Sequence, residues 1–64
     1  MTLKEFRDIE GKTQQEMADL LGITKSMYEK LEYKQVQPSL DTLKKIKELY
    51  AKYKRPFELN IFLR

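Results

Sequence analysis

The stretch Gln14-Gln15-Glu16-Met17-Ala18-Asp19-Leu20-Leu21-Gly22-Ile23-Thr24-Lys25-Ser26-Met27-Tyr28-Glu29-Lys30-Leu31-Glu32-Tyr33 decides the fold. Met17, Leu20 and Leu21 recur at the three- and four-residue spacing of one helix face, and Tyr28 and Leu31 do so after the break. Gly22 marks the break, because glycine takes the left-handed conformation at a helix C-terminus without a Cβ clash. Thr24 is placed to cap the second helix. The spacing therefore predicts helices over 14–21 and 25–32, joined by a tight turn.

Working outward, the same signals recur. Thr2 with Glu5, and Thr13 with Glu16, have capping-box spacing, in which the threonine hydroxyl accepts from the amide three residues on and the glutamate reaches back. Gly11 ends a first helix over 3–10, with Leu3, Phe6 and Ile9 on its inner face. Ser39 starts a fourth helix over 40–53, where Leu40, Leu43, Ile46, Leu49, Tyr50 and Tyr53 keep helical spacing. Pro38 disfavours helix at Gln37 and makes 33–38 a loop. These residues make one small core. Beyond Arg55-Pro56 the pattern changes: Phe57, Leu59, Ile61 and Leu63 alternate with Glu58, Asn60, Phe62 and Arg64, the period of a strand.

Composition narrows the class. The chain has 64 residues, enough for one domain. A domain of that size buries only ~60% of its unfolded surface, so association would stabilise it. With no cysteine and no histidine there is no disulfide framework and no evident zinc site. No metal or cofactor is expected. The residues conventional for nucleophilic or acid–base catalysis form no constellation, which argues against an enzyme. No apolar run reaches the ~20 residues of a membrane span, and no signal peptide is visible, so the expected location is cytoplasmic.

Lys and Arg number 13 against 10 Asp and Glu, a formal charge of +3. The excess is uneven: residues 1–22 carry a net −2 and residues 23–64 a net +5. Such asymmetry fits a face that meets a polyanion, or a mixed solvated surface. Two short helices joined by a glycine turn form the helix-turn-helix unit, whose second helix enters the DNA major groove. With Tyr28 and Leu31 inward, Lys25, Ser26 and Glu29 point outward near the start of that helix, and Lys30 further along.

The chain from about residue 3 to residue 50 resembles the Cro/C1-type helix-turn-helix domain, the XRE family of phage and bacterial repressors. The matching elements are Thr13-Gln14-Gln15-Glu16-Met17-Ala18, Leu21-Gly22-Ile23-Thr24, Leu31-Glu32 and Pro38-Ser39-Leu40-Asp41-Thr42-Leu43. The fold class implied is all-α, a lambda-repressor-like bundle of four helices in a domain over 1–55. Residues 56–64 form a strand-like tail. There are two departures from the family. Lys34 stands where the family usually has glycine, so either Lys34 adopts φ > 0 or the loop differs. The strand-like tail also replaces the family's short fifth helix.

The resemblance implies a transcriptional regulator, expected to be a repressor that binds a near-palindromic operator in double-stranded DNA as a homodimer. By resemblance Lys25, Ser26 and Lys30 occupy base-reading positions. Lysine donates to guanine O6 and N7, and serine serves either type of base. Glu29 accepts from a cytosine or orients one of the lysines. Met27 contacts a thymine methyl or packs. Phosphate contacts are expected from Gln14, Thr24, Tyr33, Lys34, Gln35, Gln37 and Lys44, with Tyr33 alternatively a cap on the core. Antiparallel pairing of the tail through Phe57, Leu59, Ile61, Phe62 and Leu63 would make the dimer, as lambda-type Cro proteins of that family do. Two other readings stay open. One is an antitoxin whose tail meets a toxin, and the other is a helical protein-interaction module.

Overall fold

The computed structural model describes residues 1–62. It has five helices in chain order: α1 (Leu3–Glu10), α2 (Gln14–Leu21), α3 (Lys25–Glu32), α4 (Leu40–Lys52) and α5 (Leu59–Phe62). None of them is long and apolar enough to cross a membrane. The first three match the expected bounds, and α4 stops one residue short of Tyr53.

The starts and stops have the local chemistry read from the sequence. Both threonine boxes are complete: Glu5 N donates to Thr2 Oγ1 at 3.1 Å while Thr2 N donates to Glu5 Oε1 at 2.9 Å. The Thr13 and Glu16 distances are 3.1 and 2.8 Å. These backbone and hydroxyl donors hold the Glu5 and Glu16 carboxyls below their ordinary range. Thr24 and Ser39 accept from the amides of Met27 and Thr42. Gly22 sits at φ 68°, and the turn closes with Ile23 N on Ala18 O at 3.0 Å.

Lys34 does adopt the left-handed conformation, at φ 59°. The end of α3 is closed by Gln35 N on Lys30 O at 2.8 Å, the six-to-one bond of a Schellman ending. A lysine here costs ~1 kcal/mol relative to glycine. Lys54, at φ 56°, ends α4 in the same way, with Arg55 N on Tyr50 O at 2.9 Å.

The core is Phe6, Met17, Ala18, Leu21, Tyr28, Ile46 and Tyr50, all sealed from solvent, with Leu3, Leu31, Leu49 and Phe62 at its margin. Ala18 lies buried between α2 and α3, where only a small side chain lets them approach. Three residues expected inward are not. Ile9 is half exposed because two successive three-residue steps from Leu3 carry it off the buried face. Leu20 lies to one side of the stripe formed by Met17, Ala18 and Leu21. Leu40, 85% exposed, opens α4 ahead of the turn that meets the core.

The tail is the main correction. Among the described residues there is no strand: 59–62 form a single helical turn, a short fifth helix where a strand was expected. Aromatic packing explains this. In a strand Phe57 and Phe62 would face opposite sides. The turn instead brings them into a stack at 5.4 Å, and both meet Tyr50 edge-on at 5.8 and 5.9 Å. Tyr50 in turn stacks on Phe6 at 4.7 Å. Phe62 is therefore buried and Ile61 packs against the same core, so neither is presented as a strand edge. Leu63 lies outside the described residues. Arg55–Glu10 at 2.6 Å and Tyr50 Oη donating to Met1 O at 3.0 Å fasten the two ends of the domain together.

Candidate nucleic-acid interface

The sequence of α3 divides its surface. Tyr28 and Leu31 are buried, and Lys25, Ser26, Met27 and Lys30 are exposed along the opposite side. Glu29 is half-buried, with its carboxylate 3.8 Å from Lys25 Nζ, one turn away. That separation makes Glu29 a partner of Lys25.

Three of the expected contact residues, Gln14, Lys25 and Tyr33, line one shallow groove. It runs from the start of α2 to the start of α3. Arg7, Lys12 and Gln15 line it too, and the sequence reading gave none of these a role. Lys12 also lies 5.5 Å from the centre of the Tyr53 ring, which anchors it as a cation over an aromatic face. Tyr33 is 61% exposed, so it is no cap on the core. Thr24, Lys34, Gln35 and Gln37 are exposed at the two ends of α3. Lys44 is not brought to this groove; it lines a different one with Leu40, Leu43, Lys47, Phe57 and Leu59.

An internal ion pair holds α3 against the other helices. Glu32, whose side chain is 1% exposed, receives Arg7 Nε at 2.9 Å and Arg7 Nη2 at 3.0 Å. Gln14 Nε2 donates to the same carboxylate at 3.4 Å, and Arg7 Nη1 reaches Lys12 O at 3.4 Å. Burial opposes the Glu32 charge, but the donors, Arg7 foremost, hold the carboxyl below its ordinary range. The Glu32 carboxylate also raises the Arg7 guanidinium further above its usual value. The Tyr28 hydroxyl is enclosed beside this pair without a hydrogen bond of good geometry among the described residues. Burial and the adjacent Glu32 carboxylate push its ionisation upward.

Gln14 thus has an internal partner at the groove floor, next to the free amides of the α2 N-terminus, which favour an anion. The arrangement places a helix with exposed donors beside a cationic, hydrogen-bonding groove. It suits a phosphate chain running past a helix that reads an adjacent groove.

Comparison with known proteins agrees with this geometry. A family described as helix-turn-helix matches residues 3–53, all of the first four helices. The chain is also similar to the SPbeta prophage-derived uncharacterized HTH-type transcriptional regulator YonR of Bacillus subtilis (strain 168), at 45% identity over 47 residues. The match covers 73% of this chain and 44% of that protein, so the chain spans less than half of its relative's length. No solved structure matches the chain.

Proposed function

The chain belongs to the helix-turn-helix family of Cro/C1 type, and we propose that it is a sequence-specific DNA-binding regulator of transcription, a repressor acting as a dimer. The observation that carries the reading is the exposed start of α3 beside the groove of Lys12, Gln14, Lys25 and Tyr33. In this reading α3 enters the major groove. Lys25 and Lys30 donate to guanine O6 and N7, and Ser26 adjusts to either type of base. Glu29 holds Lys25 in place until a base displaces it. Gln14, Thr24, Tyr33, Lys34, Gln35 and Gln37 contact phosphates on either side, joined by Lys12. A prophage-derived relative fits a repressor of phage type, which acts by occluding polymerase.

One α3 offers few base contacts, each worth ~1–3 kcal/mol, so specificity calls for two copies on half-sites about 34 Å apart. The groove of Leu40, Leu43, Phe57 and Leu59 supports a second copy as its occupant. Leu40 and Leu59 are exposed apolar residues there, and Lys44 and Lys47 stand beside them. The dimer of this reading is built from helix faces.

Titrating a duplex that carries a selected site at several salt concentrations tests the proposal. Each phosphate neutralised contributes ~0.9 to the log–log slope, so a slope of several units is expected. Binding that ignores salt, or no binding at low salt, contradicts it.

A further inference from the structure

A further cavity lies at the C-terminal end of α3. Its volume is about 260 Å³. Leu3, Leu31, Val36, Pro38, Ile61 and Phe62 make its wall. An apolar cavity of about 150 Å³ holds a benzene ring, so this one accommodates a chain of ~8–10 carbons.

Among the described residues two charged groups line it. Glu32 is already neutralised by two-point contact with Arg7. Lys34 is exposed and has no ion-pair partner among the described residues. Lys34 is also one of two residues other than glycine with positive φ among the described residues. Strained residues of this kind cluster at ligand clamps. Lys54 has the same conformation and lines none of the cavities described, and Lys44 and Lys47 line an apolar groove without that conformation; among the described residues only Lys34 joins the two features.

We propose that this cavity binds an amphipathic monocarboxylate, its hydrocarbon chain against Leu31 and Phe62 and its carboxylate on Lys34 Nζ. The cavity wall includes Leu31 at the end of α3, and its rim is the loop that carries Tyr33, Gln35 and Gln37. A carboxylate on Lys34 withdraws that ammonium from DNA phosphate. Ligand and DNA then oppose each other, and the opposition is reciprocal. This second consequence rests on the DNA-binding reading; occupancy of the cavity does not.

The probes are octanoate and octanamide, added to the full DNA-free chain and followed by amide chemical shifts. Octanoate is expected to bind saturably with shifts around Leu31, Val36 and Ile61, and octanamide at least tenfold more weakly. Lys34→Gly removes the ammonium and relieves the positive φ, so loss of folding cannot confuse its result. It should reduce octanoate to the level of the amide. Val36→Phe, which fills the cavity, should weaken both probes. Equal binding of the two probes, undiminished octanoate binding by Lys34→Gly, or shifts spread away from the cavity would overturn the proposal. So would a melting temperature that climbs with protein concentration and falls with octanoate, which would put a second copy there. On a selected operator, octanoate should weaken DNA binding by the parent chain at least threefold and leave Lys34→Gly unchanged. Saturable octanoate binding by a chain that binds no DNA would support the site and refute only the regulatory reading.

Discussion

Arg7 and Glu32, one on α1 and the other at the end of α3, meet through two hydrogen bonds of 2.9 and 3.0 Å. The pair fixes how far α3 stands from α1, and so the angle at which its exposed side is offered. Removing one partner of such a pair strands a charge and costs ~3 kcal/mol or more, whereas replacing both with apolar groups is often near neutral. Glu32→Gln and Arg7→Met should each lower the denaturation midpoint sharply. The double variant Arg7→Met, Glu32→Leu should recover most of the loss. With Glu32→Leu alone as the fourth corner, additive losses in the double-mutant cycle would show that the pair does not act as a unit.

Acid should act on the same contact. Glu32 has a folded-state pKa below its ordinary value of 4.5, so the folded state binds fewer protons there than the unfolded one. Its contribution is present above the unfolded pKa and is lost as pH falls from about 4.5 through the lower folded value. Chemical denaturation at pH 6, 4.5 and 3 should show a steeper loss for the parent chain than for Glu32→Gln. Parallel curves would contradict this.

Lys34→Gly removes a side chain from the left-handed region and should raise stability by about 1 kcal/mol. The same change should weaken binding to all DNA sites alike, since it removes a phosphate contact and no base contact. Thermal melts and a panel of duplexes check the two halves separately. A base-specific effect would reassign Lys34.

Phe62 in the tail and Leu40 at the start of α4 have different consequences. Phe62 is buried against Tyr50 and Phe57, so Phe62→Ala should destabilise the fold by ~3 kcal/mol. Leu40 is 85% exposed, so Leu40→Glu should leave the melting curve of the dilute protein nearly unchanged. It should abolish self-association in sedimentation velocity at tens of micromolar, roughly the range of weak dimers. A dimer that survives Leu40→Glu would place the interface elsewhere.

The parts legible in the sequence are those written in neighbouring residues. Thr2 and Glu5, or Thr13 and Glu16, lie within one turn, so capping chemistry and the helices that follow can be read directly. Lys34 could be flagged because a single position demanded positive φ. The tail misled because its alternation was real, yet the aromatic stack of Phe57 on Phe62 and of both on Tyr50 outweighed it. Tyr50 could be read as a core residue of α4, but the tail's alternation does not record that both rings meet it. Arg7 and Lys12 escaped notice for the same reason: their place in the groove depends on Glu32 and Tyr53, which only the folded chain brings near. The outward turn of Leu40 depended on where α4 first meets the core, which periodicity does not record.

The central claim is that the exposed start of α3 reads base edges. Selection of bound duplexes from random DNA, run in parallel for the parent chain and Lys25→Ala, tests it most directly. An inverted repeat with half-sites about one helical turn apart is expected for the parent. For Lys25→Ala, preference should relax at one base position of each half-site. No enrichment by the parent, or an identical motif from both proteins, would contradict the account.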